Sequence, residues 1–300
     1  MDWDHLRVFL AVARQGQLLA AARKLGLNHA TVARRLDALE HGLGALLFER
    51  RPAGSVLTQA GERLLPVAER METEVLAAIE GLQFDEAQVS GTVRIGAPDG
   101  LGNTFLAREL GKLATLHPGL TIELVPLPRA FSLSRREADI AIGLDRPTHG
   151  RLIVSKLVDY SLSVYASARY LGTKGEPRSP DELDRHIVVT GVEDFSYAAA
   201  LDYTAALEAA APHLFRCASV MGQLEAIRSG IGVGVLHDFM AGGQDELVRI
   251  LPDVTFTRSY WMMSHPDTHV IKRVATCRAY LTKRFGEERA RFLPPPTRPL

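Results

Sequence analysis

Basic and polar side chains crowd one short stretch of this sequence, His29-Ala30-Thr31-Val32-Ala33-Arg34-Arg35. Val32, Leu36 and Leu39 recur at helical spacing, so a helix here buries those three. His29, Ala30, Thr31, Arg34 and Arg35 then point toward its N-terminal end and outer side. Such residues suit the edge of a nucleic acid. Arg34 can pair in bidentate fashion with guanine or hold a phosphate, and Thr31 can offer a methyl to thymine or a hydroxyl to a phosphate. Signals for catalysis are weaker. Gly230-Ile231-Gly232-Val233-Gly234 and Gly100-Leu101-Gly102 do not complete Gly-x-Gly-x-x-Gly and read as turns and close strand packing. Gly-x-Ser-x-Gly, His-Glu-x-x-His and a P-loop lysine are all missing from the sequence. His265-Pro266-Asp267 with His269 is the densest histidine group, and it reads as a surface loop before a metal site. No enzyme activity, catalytic residue, metal or cofactor is expected.

The elements that must position these residues fall into three regimes. The chain has 300 residues, enough for roughly two domains at about 100–200 residues each. It is 46% hydrophobic and 23% charged, with 35 Lys+Arg against 35 Asp+Glu, which excludes a disordered tail, a fibre or a general polyanion binder. No apolar run approaches the roughly 18–20 residues of a membrane span, and the start Met1-Asp2-Trp3-Asp4-His5 lacks a secretory pattern. Cys217 and Cys277 are too far apart for a disulfide framework or zinc cluster, so a reducing cytoplasm is expected.

Residues 1–58 form the first regime. Leu6, Phe9, Leu10 and Ala13 give one helical face that ends at Gly16; Leu18–Leu25 gives a second helix closed by Gly26; Asn28 caps a third that ends near Gly42. Two short helices across Leu25-Gly26-Leu27-Asn28 describe a helix-turn-helix. Leu46-Leu47-Phe48 and Ser55-Val56-Leu57 flank Arg50-Arg51-Pro52-Ala53-Gly54, a small hairpin or wing. Residues 1–60 hold eight Lys+Arg against five Asp+Glu, a modest local excess. Pattern alone also allows a three-helix interaction module with solvated arginines.

Residues 59–89 form the second regime, one long helical pattern. Leu64, Ala68, Met71, Val75, Ala78 and Leu82 alternate spacings of four and three, an a/d seam that suits either a coiled-coil dimer or packing on its own chain. Pro66 predicts a kink, or a start nearer Leu64. Residues 90–300 form the third regime, where strand and helix patterns alternate. Strands are expected near 92–96, 120–125, 139–142, 157–165, 186–190, 217–220, 233–236 and 259–263. Helices are expected near 103–116, 197–208, 222–229 and 271–285. That alternation implies an α/β fold with a mostly parallel sheet in two lobes. Lobe I spans about 91–160 plus 265–290, and lobe II about 161–264. The tail from Pro294 to Pro299 reads as non-helical.

The run Leu18-Leu19-Ala20-Ala21-Ala22-Arg23-Lys24-Leu25, Asn28 to Leu36, Leu39-Glu40, Leu43-Gly44, Leu47-Phe48-Glu49-Arg50 and Leu57 to Glu62 resembles the N-terminal signature of the LysR-type transcriptional regulators. The likeness covers about 60 residues without a gap. Gly91 to Gly96 and Ala138 to Ile142 extend it more loosely. The resemblance implies a winged helix-turn-helix, a dimerising linker helix and a C-terminal effector domain folded like a two-lobed periplasmic solute-binding protein. It further implies a homo-oligomer, dimer or tetramer, on double-stranded promoter DNA with an inverted repeat, near RNA polymerase and away from membranes. By position, His29, Thr31 and Arg34 stand where such proteins meet the major groove, and Arg50 where a wing arginine meets a phosphate. Ala30 and Ala33 depart from serines common in the family, so the operator sequence does not carry over. His29 stands at a position often held by glutamine and either makes binding pH-sensitive or stays neutral with a single contact.

The family's effector pocket would fall here on Pro98, Asp99, Gly100, Leu101 and Asn103, on Arg129 and Phe131, on Val192 and Phe195, and on Met221 and Gly222. Many members carry a small hydroxyl residue where this chain has Asp99. That carboxylate either accepts from a ligand amine or hydroxyl, or caps a helix beginning near Asn103. Arg129 either clamps a carboxylate or stays solvated, and free N–H groups at Met221-Gly222 could hold an anion. A small carboxylate is the expected effector. A C-terminal domain that only oligomerises is the alternative.

Overall fold

The computed structural model describes residues 2–51, 54–83, 89–127, 137–148, 152–192 and 204–293. The chain divides into two compact units, Met1–Gln88 and Val89–Leu300.

In the first unit α1 (Trp3–Gln15), α2 (Leu18–Leu25) and α3 (His29–Leu43) follow the expected phases. Asp2 caps α1 by accepting from the Asp4 N–H at 3.0 Å, and Asn28 caps α3 by accepting from the Thr31 N–H at 2.7 Å. Gly16 ends α1 in the left-handed region at φ 67°, and α3 ends two residues later than expected, at Gly44. The buried faces meet in one core of Leu6, Phe9, Leu10, Val32, Leu36 and Leu39, joined by Leu47 from the end of the following loop and Phe48 from the start of the wing's first strand. Glu40 fixes that loop by accepting from the N–H groups of Leu47 (2.6 Å) and Phe48 (3.2 Å).

The wing is a two-stranded antiparallel ribbon of β1 (Phe48–Arg51) and β2 (Gly54–Leu57). It is tied to the α1–α2 turn, where the Ser55 N–H donates to the Gly16 carbonyl at 2.7 Å. At Gly54 a Cβ would lie 2.5 Å from that same carbonyl oxygen, so glycine is needed there. Next comes α4 (Gln59–Gln83), whose 25 residues span about 37 Å. It begins at Gln59 and runs through Pro66, so the alternative of a start nearer Leu64 is overturned. Thr58 supplies the true start: its hydroxyl accepts from the Gly61 N–H at 3.1 Å and donates to the Leu46 carbonyl at 2.6 Å.

The second unit is built on an eight-stranded sheet, in order β4-β3-β5-β10-β6-β9-β7-β8. Its strands are β3 (Gly91–Pro98), β4 (Leu120–Leu127), β5 (Ile140–Gly143), β6 (Ile153–Ser167), β7 (Ile187–Thr190), β8 (His213–Arg216), β9 (Val233–His237) and β10 (Leu247–Ser264). The expectation of a mostly parallel sheet needs correction. Parallel triplets β4-β3-β5 and β9-β7-β8 flank a long antiparallel pair, β6 with β10, and each triplet joins that pair antiparallel. Alternation of apolar residues marks strands but not their direction. The first half of β10 escaped notice because Pro252 and Asp253 interrupt its pattern; Leu251 takes φ 49° there and the register shifts between Ile250 and Thr255.

A continuous helical run follows β3: α5 (Asp99–Leu101), a π-helical stretch Gly102–Leu106 and α6 (Ala107–Leu116). It begins at Asp99 and not near Asn103. α7 (Ala168–Lys174) and a 3-10 turn Pro180–Arg185 lead to β7, and α8 (Ala205–Ala210) leads to β8. The expected strand over 217–220 is absent: β8 occupies 213–216, and Ser219 instead caps α9 (Val220–Arg228). The rest of the expected 197–208 helix and the Pro294–Pro299 tail lie outside the described residues. After α10 (Asp238–Ala241) and β10 come α11 (Pro266–His269), α12 (Lys272–Glu287) and a 3-10 turn Arg289–Phe292.

α12 packs on α6, β3 and β6. Phe105 lies between Phe285 and Phe292, with ring centroids 4.9 and 5.0 Å away. The fully buried Glu109 of α6 receives Arg284 of α12 at 2.7 Å, with Arg108 and Lys112 each at 3.0 Å. Burial would raise its pKa; hydrogen bonds from these cations outweigh that and hold the carboxyl below its usual range.

Candidate nucleic-acid interface and ligand cleft

The third helix of the first unit presents a clean division. Val32, Leu36 and Leu39 are buried, while His29, Ala30, Arg34, Asp37 and Asp37's neighbour Ala38 are exposed. Thr31 is half-buried beside them, its backbone N–H held by the Asn28 cap. Arg34 is solvent-facing and has no ion-pair partner among the described residues. Arg35 lies apart from this stripe: its guanidinium meets Asp4 of α1 at 3.3 Å, and Asp4 also receives Arg7 at 3.3 Å. Arg50 is paired with Ser55 in the wing backbone, and its side chain lies outside the described residues. Arg51 pairs with Glu49 at 2.7 Å.

The seam of α4 divides along its length. Leu64 and Leu65 pack on the first unit's core and Ala68 is fully buried in it. Farther on, Val67, Met71 and Val75 are 41%, 37% and 38% exposed, and Ala78 is exposed too, forming one apolar stripe. The side chain of Leu82 lies outside the described residues. A bidentate pair missed in the sequence fixes the helix: Arg14 of α1 reaches Glu72 at 3.2 and 2.6 Å, with both side chains 19% exposed.

The second unit gathers its polar groups at the carboxyl ends of its parallel strands, the usual place for a ligand in such sheets. Pro98 ends β3 and is the residue before α5. Asp99 is 9% exposed. One of its oxygens accepts from the Asn103 amide at 2.7 Å and the other from the Ser219 hydroxyl, also at 2.7 Å. It therefore does not cap a helix starting at Asn103; it joins the α5 flank to the cap of α9. Ser219, unnoticed in the sequence, also accepts from the Gly222 N–H at 3.3 Å. A serine immediately before the apolar helical pair Val220-Met221 is the signal that could have found it.

Met221 and Gly222 sit in the first turn of α9, both half-buried; a Cβ on Gly222 would lie 2.5 Å from the Cys217 sulfur. Gly100 is packed against Val220 and Met240, and Leu101 is fully buried in the core. Leu101, two residues after Asp99, turns its side chain into that core. Asn103 is exposed and Val192 half-buried. Arg129, Phe131 and Phe195 lie outside the described residues.

Beyond β7 and β8, Thr190 and Thr204 each donate to one oxygen of Glu208 at 2.6 Å, and Arg216 meets its other oxygen at 3.0 Å. Burial would raise the Glu208 pKa, but these hydroxyl donors and Arg216 lower it overall. Elsewhere, His265 lies 3.3 Å from Asp267 and His269 contacts Ser264, and no three metal-binding side chains gather among the described residues. No helix among them is long and apolar enough to cross a membrane.

Comparison with known proteins agrees with both units. The family described as bacterial regulatory helix-turn-helix protein, lysR family, matches residues 3–62, and LysR substrate binding domain matches residues 86–286. An HTH-type transcriptional regulator of Xanthomonas campestris pv. campestris is 31% identical over 185 residues, 62% of this chain and 54% of that protein. The chain thus spans about half the length of that relative. CrgA, a LysR-type transcriptional regulator from Neisseria meningitidis, matches at 25% identity and TM-score 0.59 over 95% of this chain and 99% of CrgA. LysG of Corynebacterium glutamicum, solved with bound effector Arg, shares the fold at 18% identity, with TM-score 0.66 over 98% of this chain and all (100%) of that one. The second unit has the periplasmic-binding-protein-like fold that the resemblance implied. The chain belongs to the LysR family of bacterial regulatory helix-turn-helix proteins.

Proposed function

We propose that this protein is a cytoplasmic, non-enzymatic transcriptional regulator that binds an inverted-repeat operator as a homodimer or larger homo-oligomer. One observation carries the reading: α3 holds His29, Ala30 and Arg34 exposed at its N-terminal half while its other face is locked into a core. A helix presented this way reads base edges in the major groove, and the wing beside it reaches the backbone. His29, Thr31 and Arg34 are the base-reading candidates, Arg50 a phosphate contact. Arg35 contributes by holding α3 to α1. The exposed Val67–Ala78 stripe of α4 gives a second copy its seam. Two copies place two recognition helices on half-sites about 34 Å apart.

The second unit binds a small effector at the carboxyl ends of its parallel strands, near Asp99, Asn103, Val192, Met221 and Gly222. LysG carries arginine as its bound effector. A carboxylate effector here would have to keep its acid group away from Asp99. The closed packing of Gly100 on Met240 favours a second reading, in which this unit only oligomerises. Selection of duplexes from a random pool by the purified protein tests the DNA reading; enrichment of an interrupted palindrome is expected. Binding that only fades with salt, with no enriched sequence, would refute operator recognition. A thermal-shift screen separates the two readings of the second unit, since a true effector raises the melting temperature by mass action.

A further inference from the structure

We propose that Arg278, with Ser155, Ser264 and His269, forms a binding site for a small oxyanion, separate from the ligand cleft. Ser264 ends β10 and pairs with Ile140 and Ile153, the first residues of β5 and β6. The site thus lies at the amino end of β5, whereas the cleft lies at the carboxyl ends of the parallel strands. Ser155 pairs with Met262, two residues before Ser264, so strand alternation puts both serines on one face of the sheet. Arg278 of α12 covers them: its guanidinium donates to the Ser264 hydroxyl at 3.0 Å and to the Ser155 hydroxyl at 3.4 Å. The Ser264 hydroxyl also meets Nδ1 of His269 in α11 at 3.2 Å.

Arg278 is only 7% exposed, yet no carboxylate pairs with it among the described residues. A buried cation without a counter-charge is costly. Burial pulls the Arg278 pKa below its ordinary value, and no neighbouring acid offsets that. The same helix shows the contrast: Arg284, six residues on, meets Glu109 at 2.7 Å and Glu288 at 2.9 Å. His269 supplies no negative charge, and burial together with the Arg278 charge lowers its own pKa. Asp267, the acid of α11, meets His265 at 3.3 Å. Donors are in surplus as well. A guanidinium has five N–H groups, and the two serines take one each. The Ser155 oxygen accepts from Arg278, and its own hydrogen finds no acceptor among the described residues. Positive charge and spare donors at one point call for an acceptor-rich anion: a sulfate or phosphate, or the carboxylate of an organic acid. Ser155 and His269 are half-buried, so the point is not sealed from solvent.

The test is thermal unfolding of the full-length protein and of Arg278→Met in rising millimolar sodium sulfate and, separately, sodium acetate, each against sodium chloride at equal ionic strength. Binding to the folded chain raises the melting temperature and saturates, whereas general salt stabilisation does not saturate. The expected result is a saturable rise in the original protein with at least one of the two anions, lost in Arg278→Met. The arm with the larger rise tells a tetrahedral anion from a carboxylate. No saturable rise in the original protein, or one that Arg278→Met keeps, would overturn the proposal; the second outcome would place the anion in the cleft or on the arginines of the first unit. Should Arg278→Met not fold, Ser155→Ala, at a half-buried position, is expected to raise the half-saturating concentration severalfold, and an unchanged value would overturn the proposal. The measurement uses no DNA and alters no residue of α3 or of the cleft, so its failure leaves the operator and effector readings intact.

Discussion

Arg34 and Arg35 are neighbours in sequence with different surroundings. Arg34 faces solvent on the exposed side of α3, while Arg35 is drawn to Asp4. Arg34→Ala is expected to weaken specific binding by about 1–3 kcal/mol and relax one operator position, as competition assays with single-base variants would show. Equal loss on all sequences would make Arg34 a phosphate contact. Arg35→Ala removes a half-exposed pair of the kind worth about 0–1 kcal/mol. The helical phase of residues 29–36 was legible in the sequence; the Asp4 partner was not, because it lies on another helix. For the same reason Asp99 stood out by type, while its bond to Ser219 depends on the fold bringing α9 to α5. His237 is fully buried against Tyr160 and Phe239, and burial pulls its pKa from 6.5 down to about 4. Folded protein thus holds it neutral, while unfolded chain protonates below about 6.5. Its stabilising contribution is present above pH 6.5 and is lost as pH falls through 4, by about 3 kcal/mol in total. Urea titrations across that range should show a shallower fall for His237→Phe; an unchanged slope would remove His237 as the cause.

At the scale of elements, α4 joins two roles. Its first turns belong to the winged unit, through Leu64, Leu65, Ala68 and the Arg14–Glu72 pair. Gly61 is part of that docking, since a Cβ there would overlap the Leu47 carbonyl. Gly61→Ala is expected to destabilise the protein by about 1–3 kcal/mol, measured by denaturant unfolding. The later turns expose Met71 and Val75. Met71→Glu with Val75→Glu should shift the protein toward monomer in sedimentation velocity; an unchanged oligomer would place its interface elsewhere. The heptad spacing revealed the stripe but not where it passes from own-chain packing to exposure, since both uses need the same residues. Helix ends at Gly16 and Gly26 were equally legible. The first half of β10 and the identity of β8 were not: a proline broke one pattern, and Cys217–Val220 mixes a helix cap with apolar residues that alternate as a strand would.

At the scale of the whole molecule, the order of elements identified an α/β second unit but not its sheet directions. Long β6 and β10 run antiparallel through the centre, and each parallel triplet supplies one flank of polar groups. That arrangement lets Asp99 and Ser219 meet although 120 residues separate them. The central claim is that two copies, joined through α4, read DNA together. It is tested most directly by selecting duplexes from one random pool with the original protein and with the Met71→Glu, Val75→Glu double variant. The account predicts an interrupted palindrome for the first, with half-site centres about one helical turn apart, and a single half-site or no enrichment for the second. An identical palindrome selected by a double variant shown to be monomeric, or none selected by the original protein, would contradict it.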